Sequence, residues 1–265
     1  MAIITISKQI GSLGNEIARE LADKLGYDRI EKSQIGAVLS EHGFSASDVD
    51  NYDEKNPSLL QHLSIQKNMF EYLIRAAVYE FAAKGNVVIV GRGSQVILKD
   101  IPGILHIRVI APYATRVSRL MDQKGNEKKN VQWVIQQSDY NSSGYIHTYF
   151  HADWDDSELY DMVLNTRTMT LNNCVQMIMC TVCSEEFKKS AQMTEELIDL
   201  ALTQKAKAVM LEVAGLEKPD LVVQNGIACL SGSGMLPEVK EACEKAILKI
   251  KGIIKLTCGN GAPAE

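Results

Sequence analysis

The sequence lacks an excess of basic residues, and it lacks a long apolar run. Its 28 lysines and arginines face 33 aspartates and glutamates, which gives a net charge of −5 and a pI near 5.6. This balance argues against non-specific nucleic-acid binding, which needs a basic surface. The longest apolar stretch, within Cys174–Cys183, is interrupted by Gln176 and Thr181, so it is too short to cross a bilayer. No basic leader precedes the first apolar segment, so a cytoplasmic protein is expected.

Zinc-site spacing is also missing. Cys180 and Cys183 form a C-x-x-C pattern, but no second cysteine pair follows at the spacing of a zinc site. The pair falls in a helical apolar pattern with Ile178 and Val182. Buried free thiols are therefore expected here, with zinc or redox chemistry as the alternative.

The first apolar segment predicts the centre of the fold. Residues 3–6 (IITI) form a short buried strand, residues 7–14 (SKQIGSLG) a polar turn, and a helix begins near Asn15. Gly11 and Gly14 would let the backbone approach a phosphate at the positive end of the helix dipole. The turn lacks the Gly-Lys-Ser/Thr ending of a strict phosphate loop. An ordinary strand-to-helix turn is the alternative interpretation.

A second buried strand is predicted at residues 85–90, and it leads into Gly91, Arg92 and Gly93. Ligands bind at the carboxyl edge of open α/β sheets, and arginine is a natural bidentate partner for phosphate. The pattern favours Arg92 as a phosphate ligand over a plain surface arginine. A third strand at 104–110 precedes a helix that carries Arg116 and Arg119 on neighbouring positions, which could contact phosphates or lie on a solvated face.

Four segments in this order resemble the cytidylate kinase-like family, a divergent branch of the P-loop nucleoside monophosphate kinases. They are ITISKQIGSLGNEIARELADKLGY (4–27), YDEKNPSLL (52–60), VVIVGRGSQVILKD (87–100) and DWDDSELYDMVLNT (153–166). The resemblance covers about residues 1–183. It implies a P-loop NTPase fold, three αβα layers around a parallel sheet. It also implies transfer of the ATP γ-phosphoryl group, with Mg²⁺, to a nucleotide acceptor, with CMP or dCMP expected.

The resemblance also implies roles for individual residues. Catalytic positioning is expected from Lys8, Arg92 and Arg116, and acceptor binding from Asp53 and Arg92. A solvated or helix-capping carboxylate is the alternative for Asp53. ATP is expected to contact Ser7, Gly11, Ser12, Leu13, Gly14, Asn15, Glu16 and Arg119, with Ser12 and Glu16 as Mg²⁺ ligands.

Three positions depart from the family pattern. Gly14 stands where the loop lysine is expected, and Glu16 stands at the Mg²⁺-binding hydroxyl, so Lys8 is the candidate replacement for the lysine. Ser142 stands where the lid has a basic residue, which predicts a flexible, uncharged segment around it. Residues 153–156 are expected to form a polar turn with a buried Trp154.

The C-terminal part has a different pattern. Residues 184–204 are expected to be a helical linker, and residues 205–258 follow the order helix, strand, Asn-Gly hairpin, strand, helix, strand. That order resembles the BON domain, a small α+β module, which implies a protein or lipid partner. Residues 259–265 are expected to be a disordered tail.

Two hypotheses of function follow. One is a cytidylate kinase-like enzyme. The other is a catalytically degenerate nucleotide-binding module that signals through the BON-like domain.

Overall fold

The computed structural model describes residues 2–41, 44, 64–124, 128–188, 190–231 and 236–259. The chain divides into two compact units, one of residues 1–59 and 84–189 and the other of residues 60–83 and 190–265. The helices are α1 (Gly14–Leu25), α2 (Lys32–Glu41), α3 (Ser64–Lys84), α4 (Ser94–Ile97), α5 (Tyr113–Lys124), α6 (Lys128–Phe150), α7 (Leu171–Val182), α8 (Ala191–Ala214) and α9 (Pro237–Ile247).

A parallel five-stranded sheet forms the centre of the first unit. Its strands are β1 (Ile3–Lys8), β2 (Asp28–Ile30), β3 (Val87–Val90), β4 (Ile104–Ile110) and β5 (Met162–Asn165), in the order β2-β3-β1-β4-β5. β1 is buried over five of its six residues and β3 over its whole length, as apolar runs of the fully covered parallel type are. The predicted parallel α/β fold is confirmed.

Apolar side chains from the sheet and from two flanking helices build the core of this unit. Its buried members include Ile4, Ile6, Val88, Leu105 and Ile107 from the sheet, Ile17 and Leu21 from α1, and Val175 and Ile178 from α7. Alternate residues of β1 therefore pack under α1 and α7. This packing fixes the start of α1 at the carboxyl edge of the sheet.

Two expectations are wrong. The segment around Ser142 is part of the continuous helix α6, because one face of the helix is buried through Val131 and Ile135 before the segment and Tyr145 and Tyr149 after it. Cys180 and Cys183 are exposed, because the buried face of α7 carries Cys174, Val175, Ile178 and Val182 instead. Among the described helices, none is long and apolar enough to cross a membrane.

The second unit has a small mixed sheet of β6 (Leu221–Gln224), β7 (Ile227–Ser231) and β8 (Lys255–Gly259). β6 and β7 are antiparallel and meet at the predicted Asn225-Gly226 turn, where both residues have positive φ, while β8 runs parallel to β7. The Asp199 carboxylate accepts hydrogen bonds from both turn N–H groups, at 2.7 and 3.2 Å.

Helix α8 belongs to this second core through Leu202, Ala206 and Met210. It is one continuous helix through the predicted boundary between linker and domain at residues 204–205. The order of α8, β6, β7, α9 and β8 is the predicted one. Most of the predicted tail, residues 260–265, lies outside the described residues.

Candidate active site

The turn after β1 has a shape that requires two of its glycines. Gly11 has φ of 75°, and an added Cβ would lie 3.1 Å from both the Cβ and the carbonyl oxygen of Arg116. Leu13 is also left-handed, with φ of 67°, and is the N-cap of α1 without a side-chain hydrogen bond to the helix. The helix therefore begins without a side-chain cap, and its first N–H groups are suited to an anion.

Lys8 lies directly across this helix start. A Cβ on Gly14 would stand 2.5 Å from the Lys8 Cβ, a distance that real Cβ atoms essentially never adopt, and 3.0 Å from the Lys8 Cδ. Gly14, the first residue of α1, thus leaves the space that the lysine stem occupies. Burial lowers the pKa of Lys8 below its usual range, and Arg92 lowers it further, while the carboxylates of Glu16 and Glu31 act in the opposite direction.

The turn after β3 places Arg92 at the same edge of the sheet. Gly91, Arg92 and Gly93 all have positive φ, of 72°, 61° and 68°. Gly93 is needed for space as well, since an added Cβ would lie 2.2 Å from the Phe150 ring. A left-handed arginine between two glycines is an energetically costly backbone conformation of the kind found at binding sites.

A cavity of about 590 Å³ opens between these strand ends and α6. Of the predicted site residues, it brings together Ser7, Lys8 and Arg92. The strand-end wall is formed by Ser7, Lys8, Ile10, Glu31, Lys32, Val90, Gly91, Arg92, Gly93 and Gln95. The opposite wall is formed by Trp133, Val134, Gln137, Ser138, Asn141, Ser142, Tyr145 and Ile146 of α6, with Trp154 beyond them.

These two walls differ in charge. Among the described lining residues, the three basic side chains and the one carboxylate all lie on the strand-end wall. The α6 wall is formed by apolar, aromatic and uncharged polar side chains. The arrangement suits a ligand with an anionic end against the strand ends and an uncharged, hydrogen-bonding end against α6.

Two of the predicted arginines have their partners inside the protein. Arg116 is buried and makes a bidentate pair with Asp139 on α6, at 2.9 and 2.8 Å. Arg119 donates to the Thr166 hydroxyl at 2.8 Å, to the Thr166 carbonyl at 2.6 Å and to the Gly11 carbonyl at 3.3 Å. Arg119 therefore holds the turn after β1 in place through hydrogen bonds to Gly11 and Thr166. Neither arginine is among the described residues that line the cavity.

The predicted metal ligands are placed differently from each other. Ser12 is completely buried, and its hydroxyl donates to the Gln9 carbonyl at 2.7 Å. Glu16 lies in the first turn of α1, partly exposed and close enough to Lys8 to affect its pKa. Among the described residues, no three histidine, cysteine, aspartate or glutamate side chains form a metal-binding group. Asp53 lies outside the described residues.

Sequence reasoning missed a buried arginine beside the cavity. Arg108 pairs with Ser7 in the sheet register, is 3% exposed, and forms a salt bridge with Asp155. Its guanidinium carbon lies 4.1 Å from the centre of the Trp154 ring. Ser7 therefore belongs to a buried network, since it accepts hydrogen bonds from the Trp154 indole at 2.9 Å and from Arg108 at 3.3 Å.

A single signal could have identified this network. Arg108 is the one arginine in the apolar strand ILHIRVI, and an arginine in a buried strand needs an acidic partner. The turn at residues 153–156, which does contain the predicted buried Trp154, supplies that partner as Asp155.

Comparisons with known proteins identify relatives of this chain. A cytidylate kinase from Pyrobaculum islandicum is 24% identical over 186 residues, which are 69% of this chain and 94% of the relative. A cytidylate kinase from Archaeoglobus fulgidus is 25% identical over 187 residues, 70% of this chain and 97% of the relative.

A solved structure shares the fold. It is an uncharacterized protein from Eubacterium ventriosum with a TM-score of 0.53 and 22% identity, covering 70% of this chain and 100% of that one. A model of the cytidylate kinase-like family matches residues 3–168, well over half of the sequence. The chain therefore belongs to the cytidylate kinase-like family.

Proposed function

We propose that this chain is an ATP-dependent nucleoside monophosphate kinase that transfers the γ-phosphoryl group of ATP to CMP or dCMP. The observation that carries the proposal is the position of Lys8 across Gly14 at the start of α1. The lysine expected at position 14 is supplied from the end of β1 instead, and the glycine leaves room for it. Phosphoryl transfer needs mainly positioning and positive charge around the moving group, so a relocated lysine can serve.

The turn after β1 is the proposed site of the ATP phosphates. Gly11, Leu13, Gly14 and Asn15 offer backbone N–H groups at the positive end of the α1 dipole. Lys8 adds a full positive charge from the strand side. Arg119 acts through the loop, because its hydrogen bonds to Gly11 and Thr166 hold the turn in place.

Arg92 is the proposed ligand of the acceptor monophosphate. It lines the strand-end wall of the cavity together with Lys8, so two cations can face the two nucleotides from one sheet edge. Asp53 as a contact to the acceptor base or ribose remains a prediction from the resemblance.

Mg²⁺, when bound with ATP, would neutralise part of the phosphate charge. Glu16 fits the single carboxylate that such a site commonly takes from the protein, since it lies beside Lys8 at the start of α1. Ser12 fits less well because its buried hydroxyl already donates within the turn. We infer that Glu16 is the protein's ligand to this ion and that Ser12 shapes the turn.

A second candidate function is a nucleotide-binding regulatory module. Two observations favour it: Arg116 and Arg119 have partners inside the protein, and the described residues of the α6 wall carry no charge. In that case the first unit would bind nucleotide without turnover. The BON-like second unit would pass the signal to a protein or lipid partner.

The test is ADP release from purified protein with ATP, Mg²⁺ and one acceptor from the panel CMP, dCMP, UMP, AMP and GMP. Turnover that depends on CMP or dCMP and is lost in Arg92→Ala is the result expected for the kinase. No turnover with any acceptor, together with ATP binding by calorimetry, would favour the regulatory module. If neither turnover nor binding occurs, both functions are wrong.

A further inference from the structure

Trp133 is a large aromatic side chain in the α6 wall of the cavity, and it is 64% exposed. Val131 and Ile135 on the same helix are buried in an apolar cluster with residues of α5, so they supply the packing of this part of α6. Single exposed aromatic side chains are common on protein surfaces, and the exposure alone indicates no function. What indicates a function is the position of Trp133, across the cavity from the basic strand-end wall.

Trp133 begins a row of cavity-lining side chains at four-residue spacing, which continues with Gln137 and Asn141. The Gln137 amide nitrogen donates to the Asn141 side-chain oxygen at 2.7 Å. This hydrogen bond uses one group of each amide, so both amides keep further polar groups for a ligand. The row therefore offers an aromatic face followed by uncharged donors and acceptors, which suits a flat ring with polar edges.

The rest of the lining indicates which nucleotide brings that ring. All three residues of the turn after β3, Gly91, Arg92 and Gly93, line the cavity. The described lining includes Lys8 and Ile10 but not residues 11–16, where the ATP phosphates are proposed to bind. The cavity therefore corresponds to the acceptor side of the site. Its volume of about 590 Å³ lies in the range of pockets that enclose a small molecule.

We propose that Trp133 stacks on the base of the acceptor nucleotide while Arg92 holds its phosphate. The inference rests on the proposed function and deepens it, since it names the side chain that binds the base. Every base has a π-face, so stacking adds affinity without distinguishing cytosine from uracil. Trp133 thus contributes to the affinity for the acceptor whichever pyrimidine the acceptor carries.

Calorimetry on the full chain measures the binding of CMP, UMP and ADP, and it does not require turnover. Trp133→Ala removes the stacking surface, so it is expected to weaken the binding of CMP and UMP by a similar factor, roughly 10- to 100-fold. Trp133→Phe keeps an aromatic face, and its affinity for CMP should stay within about 3-fold of wild type. The affinity for ADP, which binds on the donor side, should change by less than about 2-fold in both variants.

Tyr140→Ala is the matched control. Tyr140 is an aromatic residue on the same helix, 56% exposed, and is not among the described residues that line the cavity. Its substitution should leave the affinity for CMP within about 2-fold of wild type. Thermal denaturation of each variant, compared with wild type, checks the fold.

Tryptophan fluorescence gives a second measurement on the unaltered protein. The chain has two tryptophans, Trp133 and Trp154, and Trp154 is only 5% exposed. Quenching by iodide therefore reports mainly on Trp133. Saturating CMP is expected to protect this tryptophan from iodide, whereas inorganic phosphate, which has no base, is expected to give no protection.

Wild-type affinity for CMP and UMP in a folded Trp133→Ala would overturn the inference, and so would an equal loss of ADP binding. Bound CMP that leaves Trp133 open to iodide would also overturn it. In these cases the kinase function stands if wild type releases ADP with CMP. A selective loss of CMP and UMP binding in Trp133→Ala, without ADP release by wild type, would support the role of Trp133 and overturn the kinase function. Binding of no nucleotide by wild type would overturn both.

Discussion

The two sides of the turn after β1 differ in how their positive charges are neutralised. On the core side, Arg116 and Arg119 each have strong acceptors within the protein: a carboxylate for Arg116 and backbone and hydroxyl oxygens for Arg119. On the cavity side, Lys8 is held over the helix start, and burial lowers its pKa. A charge whose burial is only partly compensated gains most from an incoming phosphate.

Basic side chains thus have two different roles on the two sides of this turn. Cations with internal acceptors stabilise the shape of the turn, because removing them leaves buried oxygens without donors. The partly compensated burial of Lys8 is unfavourable for the folded protein and favours binding of an anionic ligand. The comparison predicts that substitutions on the two sides will affect different measurements.

The largest effect is expected for Lys8→Met. This change keeps most of the side chain's length and apolar stem but removes the charge, so kcat/KM for ATP should fall by roughly 10²- to 10³-fold. The free energy of unfolding should stay within about 1 kcal/mol of wild type, since a partly buried charge is removed. Steady-state ADP release and urea unfolding measure the two quantities.

Lys24→Met is the matched control, because Lys24 is an exposed lysine at the far end of α1 that pairs with Glu20 on the surface. Its kcat/KM should remain within about 2-fold of wild type. If Lys8→Met keeps wild-type activity, the hypothesis that Lys8 takes the role of the loop lysine is wrong.

A smaller effect is expected for Arg119→Met, and it should appear mainly in the free energy of unfolding rather than in kcat/KM. This substitution removes three hydrogen bonds that tie the turn to Thr166 and Gly11, so the free energy of unfolding should fall by about 1–3 kcal/mol. Urea unfolding measures it. Activity at a temperature well below the unfolding transition should fall less than in Lys8→Met.

Arg19→Met on the exposed side of α1 controls for the loss of an arginine as such and should change stability by less than about 0.5 kcal/mol. The distinction would be wrong if Arg119→Met had wild-type stability and an activity as low as that of Lys8→Met. Arg119 would then contact the phosphates, and the core side and the cavity side of the turn would not differ.

Much of the fold was predictable because it depends on local patterns. The apolar runs of β1, β3 and β4, the glycine-bearing turns after β1 and β3, and the Asn225-Gly226 hairpin all appear where the sequence indicates them. The prediction of a flexible segment around Ser142 was wrong because the polar residues there interrupt the apolar pattern that indicates an amphipathic helix. There the packing of Tyr145 and Tyr149 outweighs the weak helix propensity of serine and glycine.

The site was less predictable because the environment of a charged side chain depends on residues far away in the chain. Arg119 finds its acceptors at Thr166, and Arg116 finds its carboxylate at Asp139. From helical spacing alone, Arg116 and Arg119 are equivalent, and both are candidates to contact phosphates. The glycine at position 14 looked like a loss, and the structure gives it a use as space for Lys8.

The smallest expected effect is on the pH dependence of kcat/KM. Burial lowers the folded-state pKa of Lys8, so its charge is lost as pH rises through that lowered value, before an exposed lysine would titrate. Since kcat/KM reports the free enzyme, it should decline by a few-fold across the alkaline range in wild type. Lys8→Arg, which stays charged throughout this range, should show a flatter profile, and Lys8→Met should show neither the activity nor the decline. Parallel profiles for wild type and a functional Lys8→Arg would mean that the charge at position 8 is not what the nucleotide uses, even if its side chain lies across the helix start.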